Sequence, residues 1–480
     1  MPMHLQTVHH SFMTRAYSGR DRIPTIPGPI IYMRQNSQVE LTLFNDLGDK
    51  QTPKGSQING FFEYNTSNIH THGLHVSSEE PQDDVAIRIG PGYSYRYQYD
   101  ISDHCSGLLM YHAHCHGSVA MQVGGGAFGL LIVEDEHSNS PFAFLKTLPE
   151  LMISIWQFPA ASLTMFADDG DLFRQISGDF IPNLILINGF VQPKITMNPS
   201  QWYRWRIIHS SIESDIKVSL NGCSLVLLAL DGIWLSTPRR VSSVRLLQAS
   251  RAELAVSCPA RGTFKLTSSV SKEHLAVVDI TDISQIGPRN LDLSLYVVPR
   301  RPPYLRDTVS LPAEMFSNRT FSLEIQSPHP DGRLNGRLFS GDTRDQALHI
   351  MSPDTIEQWT LDINEHPFHI HTFPFQIQDD SADGFYKKGD WIDTYEGPKI
   401  AIRFNIGSEF NGKVPIHCHL AQHSDMGILG IAWIDGHSRS RKQSLKRILY
   451  RPNSALTIIS VNSLLLCMAI WIIFRTIHHQ

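Results

Sequence analysis

Apolar and polar residues alternate through "QVELTLFNDL", a period of two that predicts a strand with one buried face. "FGLLIVED", "SLVLLAL" and "PKIAIRFNIG" are short apolar runs bounded by Gly, Pro, Asp or Asn, which also predicts strands. No long amphipathic helical pattern occurs before residue 440. Many short strands between such turns predict an all-β chain of sandwiches or barrels.

Three sections repeat one theme. "RIPTIPGPIIYMRQNSQVELTLFNDL", "LILINGFVQPKITMNPSQWYRWRIIHSS" and "ALHIMSPDTIEQWTLDIN" each run from an extended segment through a turn into what is expected to be an alternating strand. Segments rich in Ser, Pro and charge separate the sections near 138–149 and 286–317. The expected organisation is three related β-domains over 14–137, 150–285 and 318–437, then a basic linker over 438–454. Residues 455–474 are 20 mostly apolar positions without a charge, which predicts a transmembrane helix.

Membrane sidedness is read two ways. Arg439, Arg441, Lys442, Lys446, Arg447 and Arg451 precede the apolar segment and would hold the large domains on the cytosolic side. The glycosylation patterns Asn65-Thr66-Ser67 and Asn318-Arg319-Thr320 point to an extracellular or luminal placement, and no signal peptide opens the chain. The expectation is a membrane-anchored monomer with its domains outside the cytosol.

Composition narrows the chemistry. Net charge is −5, with no long run of one sign in the first 430 residues, so nothing suggests a nucleic-acid surface. Six cysteines are too few for a disulfide scaffold in 480 residues. Cys223 with Cys258, or Cys105 with Cys115, could pair; free buried thiols are equally compatible. Histidine is the unusual component, with 24 residues strongly clustered.

The clusters are four. "NIHTHGLH" holds His70 and His72, "MYHAHCHG" holds His112 and His114, "NEHPFHIHTF" holds His366, His369 and His371, and "IHCHLAQH" holds His417, Cys418, His419 and His423. On a strand, residues i and i+2 share a face. Each His-X-His pair therefore projects two imidazoles together, and Cys418 points opposite to His417 and His419. Cys418 with His366 and His423 makes the His2Cys set of a blue-copper site. Eight imidazoles remain for a cluster of several copper ions. Zinc rivals copper for any one cluster but has no redox chemistry that would use the Cys418 connection. His75, His104, His116 and His209 are expected to be supporting or surface residues, and Asp390, Asp393 and Glu396 to cap turns.

These residues resemble the multicopper oxidases, the laccase-like blue copper family. The motifs His-X-His-Gly, His-X-His, His-X-X-His-X-His and His-Cys-His-X3-His-X3-Gly occur in that order, and the likeness spans nearly all of 14–437. "HTHGLH" and "YHAHCHGSVAMQVGGGAFGLLIVED" are similar to bacterial three-domain members. The resemblance implies three Greek-key cupredoxin domains and four copper ions. By motif, His70 and His369 resemble the type 2 ligands. His72, His112, His114, His371, His417 and His419 resemble those of the type 3 pair, and His366, Cys418 and His423 those of type 1. It further implies oxidation of a small reducing substrate at the type 1 site, coupled to reduction of dioxygen to water at the trinuclear site. Substrates would be phenols, aromatic amines or metal ions such as Fe(II), Mn(II) or Cu(I).

Two departures from the family pattern stand out. The axial methionine of many members is replaced by Ile428, with Met426 two residues earlier, so the type 1 site is expected to be three-coordinate. A glutamate that some members carry after the last histidine is Ser424 here, followed by Asp425. Asp83 and Asp84 lie where laccase-like proteins place a proton-relaying acid, and Asp83 is favoured by its spacing from His70.

Overall fold

The computed structural model describes residues 14–48, 58–134, 145–158, 184–283, 287–316, 320–326, 332–436 and 468–477. The alternating stretches become strands. Gln38–Asp46 buries Val39, Leu41, Leu43 and Asn45 and turns the residues between them toward the surface. Thr355–Asp362 alternates in the same way, while Phe128–Glu134 is covered on both faces until its last residue. Truncating a wholly buried side chain such as Leu43 to alanine would remove about 2–5 kcal/mol.

One topology recurs three times. Gly28–Arg34 runs parallel to Phe128–Glu134, Lys194–Met197 to Ala276–Ile280, and His349–Met351 to Leu429–Ile434. Each first strand then turns through a residue of positive φ, namely Asn36 (55°), Ser200 (59°) and Asp354 (55°). Short polar side chains tolerate that left-handed backbone better than bulky ones. The chain leaves these turns into the strands Gln38–Asp46, Tyr203–His209 and Thr355–Asp362. The described strands form six sheets. In the middle section Cys223 and Cys258 form a disulfide, while Cys105 and Cys115 are free thiols.

Two expectations are corrected. The apolar C-terminal segment is not a transmembrane helix where it is described. Met468–Ile477 is a strand, antiparallel to Gln38–Asp46 and parallel to Arg15–Ser18. Among the described residues no helix is long and apolar enough to cross a membrane. An apolar run alone does not separate helix from buried strand, and a segment rich in Ile, Trp and Phe suits a strand. Residues 455–467 and the basic linker lie outside the described residues. Asn65 is no glycosylation acceptor in this fold: it is buried, and its Oδ1 accepts from Arg15 Nη2 at 3.3 Å. Asn318 lies outside the described residues.

Candidate metal centre

The histidine motifs meet because their strands are paired. His369 stands opposite His417, and Phe368 opposite Cys418, across the pair Phe368–Ile370 and Gly412–Cys418. His70 and His112 form a bridge of two backbone hydrogen bonds, His70 N to His112 O at 2.8 Å and the reverse at 3.0 Å. His112 and His417 lie on strands, while His114 and His419 fall just past the strand ends. The short helix Val119–Gly125 and the helix Ala421–Asp425 flank the site. Asp425 joins them: its carboxylate accepts from the backbone N–H groups of Gly117 (2.7 Å), Val119 (3.3 Å) and Ala120 (2.9 Å). Those amides have no partner within the first turn, so the carboxylate of one section caps the helix of another.

Eight imidazoles form one buried cluster: His70, His72, His112, His114, His369, His371, His417 and His419. Their tautomers follow from their partners, since carbonyl and carboxylate oxygens only accept. His112 Nδ1 donates to Ala113 O at 3.0 Å, His369 Nδ1 to Asp393 O at 2.7 Å, and His417 Nδ1 to Cys418 O at 2.9 Å. His70 Nδ1 donates to Asp83 Oδ2 at 2.6 Å. All four rings therefore direct an Nε2 lone pair inward. His72 is reversed: Nε2 donates to Asp393 Oδ1 at 3.1 Å, which leaves the lone pair on Nδ1.

Ring nitrogens face one another, and in the pair His72 and His112 both are lone pairs. His72 Nδ1 lies 3.4 Å from His112 Nε2. His417 Nε2 lies 3.1 Å from His114 Nε2 and 3.2 Å from His371 Nε2. Within the cluster, His70 Nε2, His369 Nε2, His371 Nδ1 and both ring nitrogens of His419 have no hydrogen-bond partner. Two acceptors facing each other repel unless a cation lies between them. Two imidazole nitrogens on one metal, each roughly 2 Å away in tetrahedral geometry, stand roughly 3.3 Å apart. The donor set thus fits metal ions. Protonation offers no alternative. Burial first, then neighbouring imidazoles, hold His70, His114, His371 and His419 far below the usual histidine range. Burial takes His369 and His417 to about 3 and His112 to about 4.

A second group lies on the other side of the same strand. Cys418 Sγ is 3.4 Å from His366 Nδ1 and 3.8 Å from His423 Nδ1, and those two nitrogens are 3.3 Å apart. Cys418 is buried and His423 half-buried. Burial pushes the Cys418 thiol up, so its thiolate needs a bound cation. Ile428 closes the group: its carbonyl accepts from Cys418 N at 3.1 Å, and its N–H donates to His423 O at 2.9 Å. Ile428 itself is buried.

The two aspartates part company. Asp83 Oδ2 touches His70, and its Oδ1 accepts from Thr71 N at 2.8 Å. Burial raises its carboxyl to about 8. Asp84 faces away from the cluster, with Oδ1 2.9 Å from Lys413 Nζ. Asp393, expected to be a turn cap, instead stands against His72 and His369. Of the histidines expected to be peripheral, His75 is tied by Nδ1 to Thr372 O at 2.7 Å and His209 by Nδ1 to Leu247 O at 3.0 Å. A cavity reaches the cluster between its sections, walled by Val119, Val123, Ile212 and Ala421 and ending on His112 and His419.

Known proteins bear on this geometry. Profiles of the multicopper oxidase family match residues 24–138, 161–283 and 300–436. The multicopper oxidase mco of Staphylococcus haemolyticus is 24% identical over 424 residues, covering 84% of this chain and 81% of its own. The cell division protein FtsP of Escherichia coli is 26% identical over 299 residues, covering 60% of this chain and 61% of its own. The crystal structure of a laccase from Pediococcus acidilactici matches with a TM-score of 0.66 at 18% identity, over 85% of this chain and 84% of that one.

Proposed function

The chain belongs to the multicopper oxidase family, and from that footing we propose that it oxidises a small substrate at the Cys418 group and reduces dioxygen to water at the histidine cluster. The carrying observation is that the His72 Nδ1 and His112 Nε2 lone pairs, each fixed by a hydrogen bond at the ring's far side, lie 3.4 Å apart, and that the single Nε2 lone pair of His417 faces both His114 Nε2 at 3.1 Å and His371 Nε2 at 3.2 Å. In this reading four copper ions bind. His366, Cys418 and His423 hold type 1, His70 and His369 hold type 2, and His72, His112, His114, His371, His417 and His419 hold the type 3 pair. The three recurrent sheet arrangements support cupredoxin domains over 14–137, 150–285 and 318–437.

Copper in these sites supplies reversible one-electron chemistry. The residues do the rest. His417, Cys418 and His419 are consecutive, so a short covalent path joins the two groups. The half-buried His423 ring is the place where an outside reductant approaches. The substrate class in this reading is phenols, aromatic amines or metal ions. Apolar cavity walls favour dioxygen over water on the way to the cluster. Asp83, whose carboxyl burial raises to about 8, takes up and gives up a proton beside the cluster for delivery to reducing dioxygen, while its Oδ2 accepts from His70 Nδ1.

The likeness to a cell division protein raises a second reading, a structural role without turnover. The complete donor set argues against it. Oxygen uptake by purified, copper-loaded protein with phenol, amine and metal-ion donors separates the two. Turnover with four coppers per chain is expected; no uptake with any donor class would favour the structural role.

A further inference from the structure

The strand Arg251–Ser257 belongs to the middle section, which contributes no histidine to the cluster, yet one of its residues is wired to it. Arg251 is wholly buried. Its Nη1 donates to Asp393 Oδ1 at 3.0 Å and to Ala249 O at 2.9 Å. Its Nη2 donates to Asp393 Oδ2 and to Asp231 O, the latter at 2.9 Å. Asp231 closes the group, with Oδ1 accepting from Arg251 N at 3.0 Å and Oδ2 from Asp393 N at 3.2 Å. Asp393 Oδ1 then accepts from His72 Nε2 at 3.1 Å and from Thr394 Oγ1 at 3.1 Å.

We propose that Arg251 is a positioning residue for the cluster: through Asp393 it holds the His72 ring with its proton on Nε2 and its Nδ1 lone pair toward His112. The proposal rests on reading the cluster as a metal site. By position alone, Asp393 groups with His72 and His369 as a metal ligand. The guanidinium fork engages both its oxygens, so the carboxylate is spent on orienting a ligand rather than on ligation. His72 is the ring whose lone pair is on Nδ1, and it is the ring bonded to this carboxylate.

Gly73 is an independent sign. It follows His72 with φ +96°, and a Cβ built there would lie 2.5 Å from Arg251 Nη2 and 3.3 Å from Asp393 Oδ2. The glycine of the His-X-His-Gly motif leaves the space that the arginine and carboxylate fill.

The test compares Arg251→Met, Arg251→Lys and Asp393→Asn with the unaltered full-length chain. In copper-free, ¹⁵N-histidine-labelled protein, long-range ¹H–¹⁵N correlation reads the tautomer of His72, assigned through His72→Gln. The unaltered protein should show the Nε2–H form alone. Arg251→Met frees the carboxylate to turn, and Asp393→Asn sets an amide NH2 against the guanidinium in either orientation, since both oxygens face it. Both should give a mixture or the Nδ1–H form, and Arg251→Lys should recover part of the original population. After copper loading, retention at the cluster should weaken about 10–100-fold while the Cys418 colour remains. His72 remaining wholly Nε2–H in Asp393→Asn overturns the proposal, whether or not Arg251→Met folds. Absence of copper from the cluster of the unaltered protein would instead remove the reading beneath it, and the tautomer result would still decide the role of Arg251.

Discussion

One strand end serves two unlike surroundings. Toward one side His417 and His419 enter a sealed cluster of imidazoles that burial keeps neutral. Toward the other, Cys418 meets His366 and His423, and His423 is half-buried. The sealed side has partners on the far nitrogens of five of its rings, a buried acid at Asp83 and a mostly apolar cavity beside it. The open side has a thiol, two rings and a buried isoleucine bonded through its backbone to Cys418 and His423. The contrast teaches what each side must admit. In the proposed reading dioxygen, small, apolar and in need of protons, suits the side with the apolar cavity and the buried Asp83 nearby. A reductant need only touch a ring edge, so the other group can stay near the surface and accept donors of varied shape.

The sharpest way to break the contrast is to silence the open side alone. Cys418→Ser removes the thiolate that, in the proposed reading, carries both colour and electrons. The blue band should vanish and turnover fall to background, while copper analysis still finds three ions per chain. Wild-type turnover in this variant would show that electrons enter elsewhere.

Asp83→Asn tests the sealed side. No proposed ligand is lost, so copper content and blue colour should stay, while reoxidation of the reduced protein by oxygen slows by about 100-fold near pH 6. The sign with pH follows from the raised carboxyl. Unaltered Asp83 is protonated below about 8 and loses its proton as pH rises through that value. The gap between the two proteins should therefore narrow at high pH. Stopped-flow return of colour across pH checks this; equal rates throughout would free Asp83 from the mechanism.

Gly73→Ala probes the packing behind the cluster. A methyl group at φ +96°, 2.5 Å from Arg251 Nη2, should destabilise the fold by about 1–3 kcal/mol and loosen copper at the cluster but not at Cys418. Thermal unfolding with copper analysis reads both. Ile428→Met is the mildest change. A thioether donor beside Cys418 stabilises Cu(II) over Cu(I) and should lower the potential of the blue site. An unchanged potential in a redox titration would mean that side chain 428 does not face the thiol.

The sequence made the strands and the convergence of histidines legible for physical reasons. A period of two shows in QVELTLFND, and His-X-His spacing puts two rings on one side of a chain. What stayed hidden depends on distant partners. Asp393 looked like a turn residue because nothing local reveals that it meets His72, 321 positions away. Arg251 sits in no motif; only the fold places it behind the cluster. Asp83 and Asp84 are neighbours with similar chemistry, and only Lys413 shows which one turns away. The C-terminal apolar run was ambiguous because hydrophobicity measures burial and not conformation.

The central claim is that the two groups work as one unit, passing four electrons to each dioxygen. The most direct measurement gives the copper-loaded protein a known amount of one-electron donor and follows both oxygen uptake and hydrogen peroxide. The account predicts one dioxygen consumed per four electrons, with no peroxide. Peroxide accumulating at one per two electrons, or donor oxidised without oxygen uptake, would contradict it.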